Sequence, residues 1–268
     1  MLVKNKVFVV TGAGGGIGGA LVAELLSRGA KVSAVDLKDE SLNALKTKLD
    51  ANDKLSTHAV NIADRTAVEK LPKDVEKTHG HVDGIINCAG IVQPFVKIND
   101  LEFDAIERVM NVNFYGTLNM TKAFLPHLLK RPEGHVANVS SMGGFLPVPG
   151  QAVYGASKAA VKLMSEGLFA ELLDTNVHVT TIFPGATKTD IGKNSGVKTP
   201  GGADAEEAAK KFPMLTPEKA AKIMIDGIEK NKAQIFTGKD SKMMSKLYRL
   251  NPVFATKFIA KQMGSLLR

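Results

Sequence analysis

A chain of 268 residues, 44% of them apolar, is long enough to bury a large core and has the composition of an ordinary globular domain. It holds no apolar run near the roughly 20 residues of a membrane span. Its single cysteine, Cys88, excludes an internal disulfide and a four-cysteine zinc site. The net charge of +8 is uneven: residues 239–268 carry seven basic side chains against one acid, Asp240. That tail lacks the aromatic interleaving of a nucleic-acid binder, so no nucleic acid partner is expected. Met1-Leu-Val-Lys-Asn-Lys leads directly into a strand-like run, and together with the single cysteine this points to a cytoplasmic protein.

In chain order, Val7–Thr11, Lys31–Asp36, Leu55–Val60, Val82–Cys88, His135–Ser140 and Val177–Phe183 read as strands, with Ile235–Thr237 a short seventh. Helical patterns fill the gaps, among them Ile17–Arg28, Glu40–Leu49, Phe103–Leu129 and Ala152–Leu173. Strand–helix alternation implies parallel pairing through right-handed crossovers, and the Val/Ile runs imply strands covered on both faces. Asp190–Pro217 breaks this rhythm with four glycines and three prolines. A loop of that length, leaving the sheet at its carboxyl end, is expected to be a substrate lid.

Thr11-Gly-Ala-Gly-Gly-Gly-Ile-Gly18 joins the first strand to the first helix. Gly12 suits a tight turn, while Gly16, Ile17 and Gly18 open a helix whose free N–H groups and dipole favour a pyrophosphate. Gly14, Gly16 and Gly19 satisfy the same spacing formally but begin later after the strand. Asp36 ends the second strand, eighteen residues after Gly18, where a carboxylate accepts hydrogen bonds from a ribose and repels a 2′-phosphate. The expectation is NAD, with NADP disfavoured and Lys38 as the contrary sign.

Tyr154 and Lys158 stand one helical turn apart and share a face. A free tyrosine titrates near about 10 and is a poor base, but a neighbouring ammonium stabilises the phenolate. Ser141, just past a strand, can donate to the same oxygen. The six histidines show no metal-ligand spacing, so no metal is expected.

In this order the Thr11–Gly18 turn, Asn87-Cys-Ala-Gly90, Asn113, Ser141, Tyr154 with Lys158, and Pro184-Gly-Ala-Thr-Lys-Thr189 resemble the short-chain dehydrogenase/reductase family over roughly residues 5–238. The resemblance implies a Rossmann-type, doubly wound sheet of seven parallel strands in a single domain, with helices on both faces. It implies a nicotinamide cofactor and an Asn113–Ser141–Tyr154–Lys158 tetrad. By that carry-over Ser141 positions the substrate oxygen and Tyr154 transfers its proton. Lys158 binds the nicotinamide ribose and tunes Tyr154, and Asn113 holds a water. It also implies cofactor contacts from Asn61 and Ile62 beside the adenine, from Asn87, Ala89 and Gly90, and from Pro184, Gly185, Thr187 and Thr189 near the nicotinamide. Cys88 and Asn61 depart from the family's usual asparagine and aspartate.

Phe145-Leu-Pro-Val-Pro149, Val153 and Ile91-Val-Gln-Pro-Phe95 suggest an apolar wall suited to a bulky secondary alcohol or ketone. An NADPH-dependent carbonyl reductase and a non-catalytic nucleotide-binding protein are the competing readings. A homo-tetramer or homo-dimer follows by resemblance. The extension 239–268 reads as basic and amphipathic: Lys257, Lys261 and Arg268 fall on one side, with Ala255, Ile259, Met263, Leu266 and Leu267 on the other. Such a segment packs on the subunit, caps the cleft, joins an oligomer or lies on an anionic membrane surface.

Overall fold

Short extended runs, most of them rich in Val and Ile, leave a row of main-chain donors and acceptors that must find neighbours. In the computed structural model, which describes residues 1–197 and 214–263, seven of them form one sheet. The strands are β1 Val7–Thr11, β2 Lys31–Asp36, β3 Leu55–Ala59, β4 Gly84–Asn87, β5 Gly134–Val139, β6 Val177–Pro184 and β7 Gln234–Thr237. Their order is β3-β2-β1-β4-β5-β6-β7, and every pairing is parallel. This is the doubly wound arrangement expected, and its strand order reverses between β1 and β4.

The helices are α1 Gly16–Ser27, α2 Asp39–Leu49, α3 Arg65–His79, α4 Phe103–Met110, α5 Thr117–Leu128, α6 Ala152–Glu171, α7 Ile191–Asn194, α8 Pro217–Glu229, α9 Lys239–Leu250 and α10 Pro252–Met263. Alternation along β1 divides the core. Phe8 and Val10 pack with Leu21 and Leu25 of α1 and with Ile225 and Ile228 of α8. Val7 and Val9 pack with Leu71 and Val75 of α3 and with Met120 and Phe124 of α5. Arg28, at the end of α1, ties the first layer together through ion pairs to Asp226 and Glu229 of α8 at 2.6 and 2.7 Å.

Helix α4 runs into α5 without a break. Asn111–Gly116 between them forms a wide π turn, a rare geometry that often marks a functional site. The expected helix over 103–129 is therefore present, but periodicity gave no sign of its widened middle.

Only the edges of the expected lid are described, and residues 198–213 lie outside the described residues. On the near side, Ser195 after α7 accepts the Val92 N–H at 3.0 Å and donates to the Ile191 carbonyl at 2.6 Å. Arg108 of α4 donates to the Ser195 carbonyl at 3.2 Å. On the far side, Leu215 bridges to Thr187 beside the end of β6.

Helices α9 and α10 fold back on the domain. Met244, Ala255 and Ile259 bury against Leu146, with Phe145, Leu247, Tyr248 and Met263 packed around them. At the start of α9, Asp240 accepts the Ala186 N–H at 2.8 Å, and Ser241 donates to the Phe183 carbonyl at 2.9 Å. Residues 264–268, which include Leu266, Leu267 and Arg268, lie outside the described residues. No helix among the described residues is long and apolar enough to cross a membrane.

Candidate active site

The carboxyl ends of β1, β2 and β4 converge, since Thr11 is in register with both Val35 and Asn87. A cleft of about 410 Å³ opens there and runs to the end of β6. Gly12, Gly16, Ile17 and Gly18 line it, with Asp36, Asn61, Ile62, Ala89 and Gly90 beyond them. So do Ser141, Tyr154, Lys158, Pro184, Gly185, Thr187 and Thr189. Ile91, expected on the substrate side, lines it too, as do Ser41, Ile191 and Asn194, for which sequence patterning gave no signal because their placement depends on tertiary packing.

The glycine turn has direct steric reasons. Gly12 takes φ +69°, a left-handed conformation that side chains disfavour. A Cβ on Gly18 would overlap the Gly12 carbonyl oxygen, which is main chain and cannot rotate aside. A Cβ on Gly16 would come within 3.1 Å of Thr189 across the cleft. No side chain caps the start of α1, and its first turn holds no acid. Free N–H groups thus face the cleft, which fits a pyrophosphate. Asp36 closes this end: its carboxylate accepts the Gly14 N–H at 2.9 Å and the Lys38 N–H at 3.3 Å. Asn61 is exposed, and its side-chain carbonyl accepts the Ala63 N–H at 3.0 Å, leaving one lone pair for an adenine.

At the other end, Ser141 accepts the Gly143 N–H at 3.0 Å, which keeps its own proton free for the cleft. Gly143 is packed so that a Cβ there would lie 3.4 Å from the Tyr154 ring. Burial pushes the Tyr154 phenol above its ordinary value, and the Ser141 hydroxyl pulls it back part of the way. Lys158 is almost wholly buried and donates to the Val139 carbonyl at 3.0 Å. Burial lowers its ammonium to about 8. Tyr154 and Lys158 line the same cleft, one helical turn apart on α6.

Two expected residues stand behind the wall rather than in it. Asn87 is buried and donates to Asn138 at 2.8 Å and to Thr121 at 3.3 Å, joining β4, β5 and α5. Asn113, in the π turn, clamps Ile91: its Oδ1 accepts the Ile91 N–H at 2.8 Å, and its Nδ2 donates to the Ile91 carbonyl at 3.0 Å. It also donates to Ser157 of α6 at 2.9 Å. Both amide protons are used, so the Asn113 side chain orders the cleft floor. Burial pushes the Cys88 thiol up to about 12, so it stays protonated and acts as a small packing group.

The expected apolar wall largely turns inward. Leu146 is fully buried against the C-terminal helices, Val92 is buried, and Phe145 packs edge-on against Phe183 and Phe236. Of the residues named for that wall, only Ile91 lines the cleft among the described residues. No cluster of potential metal ligands occurs among the described residues.

A cleft at the reversal point of a doubly wound sheet, with a half-buried tyrosine and a buried lysine at one end, defines a nucleotide-dependent oxidoreductase. Comparison with known proteins agrees. The short chain dehydrogenase family matches residues 6–199. A Mycobacterium tuberculosis protein that carries an oxidoreductase name, SadH, is 35% identical over 254 residues, covering 92% of this chain and 91% of that protein. An uncharacterized oxidoreductase of Staphylococcus epidermidis is 36% identical over 209 residues, 76% of this chain and 90% of its own. Among solved structures, a short-chain dehydrogenase of Burkholderia cenocepacia in complex with NADP superposes with a TM-score of 0.81 at 26% identity, covering 97% of this chain and 99% of its own. A Burkholderia phymatum short-chain dehydrogenase/reductase in complex with NAD shares the fold, with a TM-score of 0.84 at 21% identity over 95% of this chain and 96% of its own. The chain belongs to the short-chain dehydrogenase/reductase family and is an NAD(P)-dependent oxidoreductase of that kind.

Proposed function

We propose that the protein moves a hydride between NAD(H) and a secondary alcohol/ketone pair. The observation that carries this reading is the convergence of Ser141, Tyr154 and Lys158 in one cleft with the glycine turn and Asp36. The nicotinamide ring supplies the hydride chemistry when bound. The chain's own residues supply the rest. The open start of α1 receives the pyrophosphate, and Asp36 receives the adenosine ribose. Thr187, Thr189, Pro184 and Gly185 border the nicotinamide end. Ser141 donates to the substrate oxygen and orients it. Tyr154 takes the hydroxyl proton of an alcohol or gives a proton to a ketone oxygen. Lys158, lowered to about 8 by burial, binds the nicotinamide ribose and holds positive charge beside the phenol when protonated. Asn113 keeps Ile91 in place as the apolar floor, and Ile191 lines the same cleft, which suits an apolar substituent.

NADPH-dependent carbonyl reduction is the second reading. Lys38 lines the cleft next to Asp36, and a relative of the same fold holds NADP. Titration of both nucleotides decides. NAD is expected to bind tighter, and Asp36→Ala to narrow the gap; equal or tighter NADPH binding overturns the NAD assignment. For the chemistry, Tyr154→Phe is expected to abolish turnover of secondary alcohols while nucleotide still binds. Near-normal kcat in that variant overturns the role given to Tyr154.

Residues 1–238 carry the sheet and the cleft in this reading, braced by the start of α9, with 190–217 as the substrate lid, and a homo-dimer or homo-tetramer is the assembly. Burial of Met244, Ala255 and Ile259 supports a packing role for 239–268. Leu250, Val253 and Phe254 remain exposed among lysines, which supports contact with an anionic membrane surface. Salt-sensitive sedimentation with anionic vesicles separates the two.

A further inference from the structure

The first N–H groups of an α-helix have no acceptor within the helix and must be satisfied from outside. Helix α6 begins at Ala152, only two residues before Tyr154, and its N-cap residue Gln151 provides no side-chain cap. The missing acceptor comes from a distant segment. Gln93, in the loop after β4, is fully buried, and its Oε1 accepts the Val153 N–H at 2.8 Å and the Tyr154 N–H at 2.9 Å. Its Nε2 donates to the Gly150 carbonyl at 3.0 Å, so the amide has one satisfied orientation. Gly150, at φ +77°, adopts the left-handed turn that leads into the helix. Gln151 closes the knot by donating to the Gln93 carbonyl at 2.9 Å and to the Gly150 carbonyl at 3.0 Å. Two residues before Gln93, Asn113 grips both main-chain groups of Ile91.

We propose that Gln93 is a positioning residue for the proton-transfer tyrosine, holding the main chain of Tyr154 at a fixed distance from the Gly90–Ile91 cleft floor through its cap on α6. This rests on the reading of Tyr154 as the proton-transfer group. The physical argument is that Tyr154 sits in the first turn of its helix, the part that frays when uncapped. Both donors held by Gln93 belong to that turn, and one is the N–H of Tyr154 itself. Without the amide oxygen, two partly buried N–H groups lose their partner, and the turn must shift to find another. A misplacement of about 1 Å at a reacting group can lower a rate on the order of 10²-fold. Pro94, Val92 and Phe95 around Gln93 read as apolar lining in the sequence, which hides the polar role of the residue between them.

The test uses the full chain with tyrosine labelled by 13C at the ring ζ position. There are three tyrosines, Tyr115, Tyr154 and Tyr248, so three resonances are expected, and Tyr154→Phe assigns the relevant one. Gln93→Met keeps the side-chain length but removes the acceptor; it is expected to move and broaden the Tyr154 resonance while Tyr115 and Tyr248 keep theirs. Gln93→Glu, in its protonated form, restores an acceptor for both N–H groups and a donor for the Gly150 carbonyl, and under acidic conditions it is expected to return the Tyr154 resonance toward that of the parent. With NAD and a panel of secondary alcohols, kcat is expected to fall on the order of 10²-fold in Gln93→Met at unchanged NAD affinity and to recover in Gln93→Glu under acidic conditions. The proposal is overturned by a Tyr154 resonance unmoved in Gln93→Met, by all three resonances moving together, or by a Gln93→Glu protein as perturbed as Gln93→Met under acidic conditions. If Gln93→Met does not fold, Gln93→Asn, one methylene short of the helix, takes its place under the same criteria. A parent protein that oxidises none of the alcohols would refute the substrate reading alone, because the tyrosine resonances judge the positioning role without turnover.

Discussion

Lys158 is a cation in a place that disfavours charge, and this has a measurable thermodynamic consequence. Burial holds its ammonium at about 8 against an ordinary 10.5. Between those two values the unfolded chain keeps a proton that the folded chain has released, so stability rises as pH rises through that window. At 1.36 kcal/mol per unit, the folded protein carries a penalty of about 3 kcal/mol below pH 8 that is gone by about pH 10.5. Lys158→Met removes the ionisation altogether. It also takes the donor from the Val139 carbonyl, at a cost of about 1–3 kcal/mol that does not depend on pH. The two proteins should therefore have similar stability near neutrality, and the parent should gain about 3 kcal/mol on the variant between pH 8 and 10.5. Urea unfolding at half-unit pH steps, without nucleotide, reads this difference, and groups shared by both proteins cancel. Parallel stability curves across that range would refute the reasoning. The variant should also lose turnover and bind NAD more weakly, because the same lysine faces the nicotinamide ribose in the proposed mechanism.

Gly18→Ala places a methyl against the Gly12 carbonyl, so it should destabilise the domain by about 1–3 kcal/mol and abolish nucleotide binding; an unchanged melting temperature would contradict the packing of the turn. Deleting residues 252–268 uncovers Leu146 and removes buried Ala255 and Ile259, so the melting temperature should drop by several degrees, whereas an unaltered melt would mean this helix contributes nothing. Ser195→Ala cuts the hydrogen bond between the near edge of the expected lid and Val92; it should raise KM for the alcohol more than it changes NAD affinity, and equal changes in both would argue against a substrate-side role.

Much of this arrangement was legible in the sequence because it follows from local rules. Strands buried on both faces are largely apolar, so runs such as Val7–Thr11 and Gly84–Asn87 were plain, whereas the partly buried β3, Leu-Ser-Thr-His-Ala, was marked by its place in the strand–helix alternation. The glycine turn was legible because Gly12 needs a positive φ and Gly18 tolerates no side chain. What stayed hidden depends on contacts between segments distant in the chain. Asn87 and Asn113 sit in motifs that suggest ligand contact, and the sequence gave no sign that Asn87 also donates to Asn138 and Thr121 or that Asn113 holds Ile91 and Ser157. Apolar residues near a cleft look the same in sequence whether they face ligand or core, so Phe145 and Leu146 read as substrate wall although they carry the C-terminal helices. Gln93 shows the same limit for a polar residue, since its partners lie some sixty positions away.

The staple at Asp240 bears on how this chain tolerates change. A Cβ on Gly185 or on Gly238 would collide with the Asp240 carboxylate, which is held over both glycines by the Ala186 N–H. These three positions form one steric unit that spans the cleft end of β6, the exit from β7 and the first turn of α9. A larger residue at either glycine is acceptable only if Asp240 shrinks or withdraws, and that withdrawal frees the Ala186 N–H beside the cofactor site. Substitutions at 185, 238 and 240 should therefore be epistatic rather than additive. The end of the catalytic sheet and the start of the tail are thus not a seam. A shortened form of the protein that spares the nucleotide site should end near Asn251, between α9 and α10, and not at residue 238.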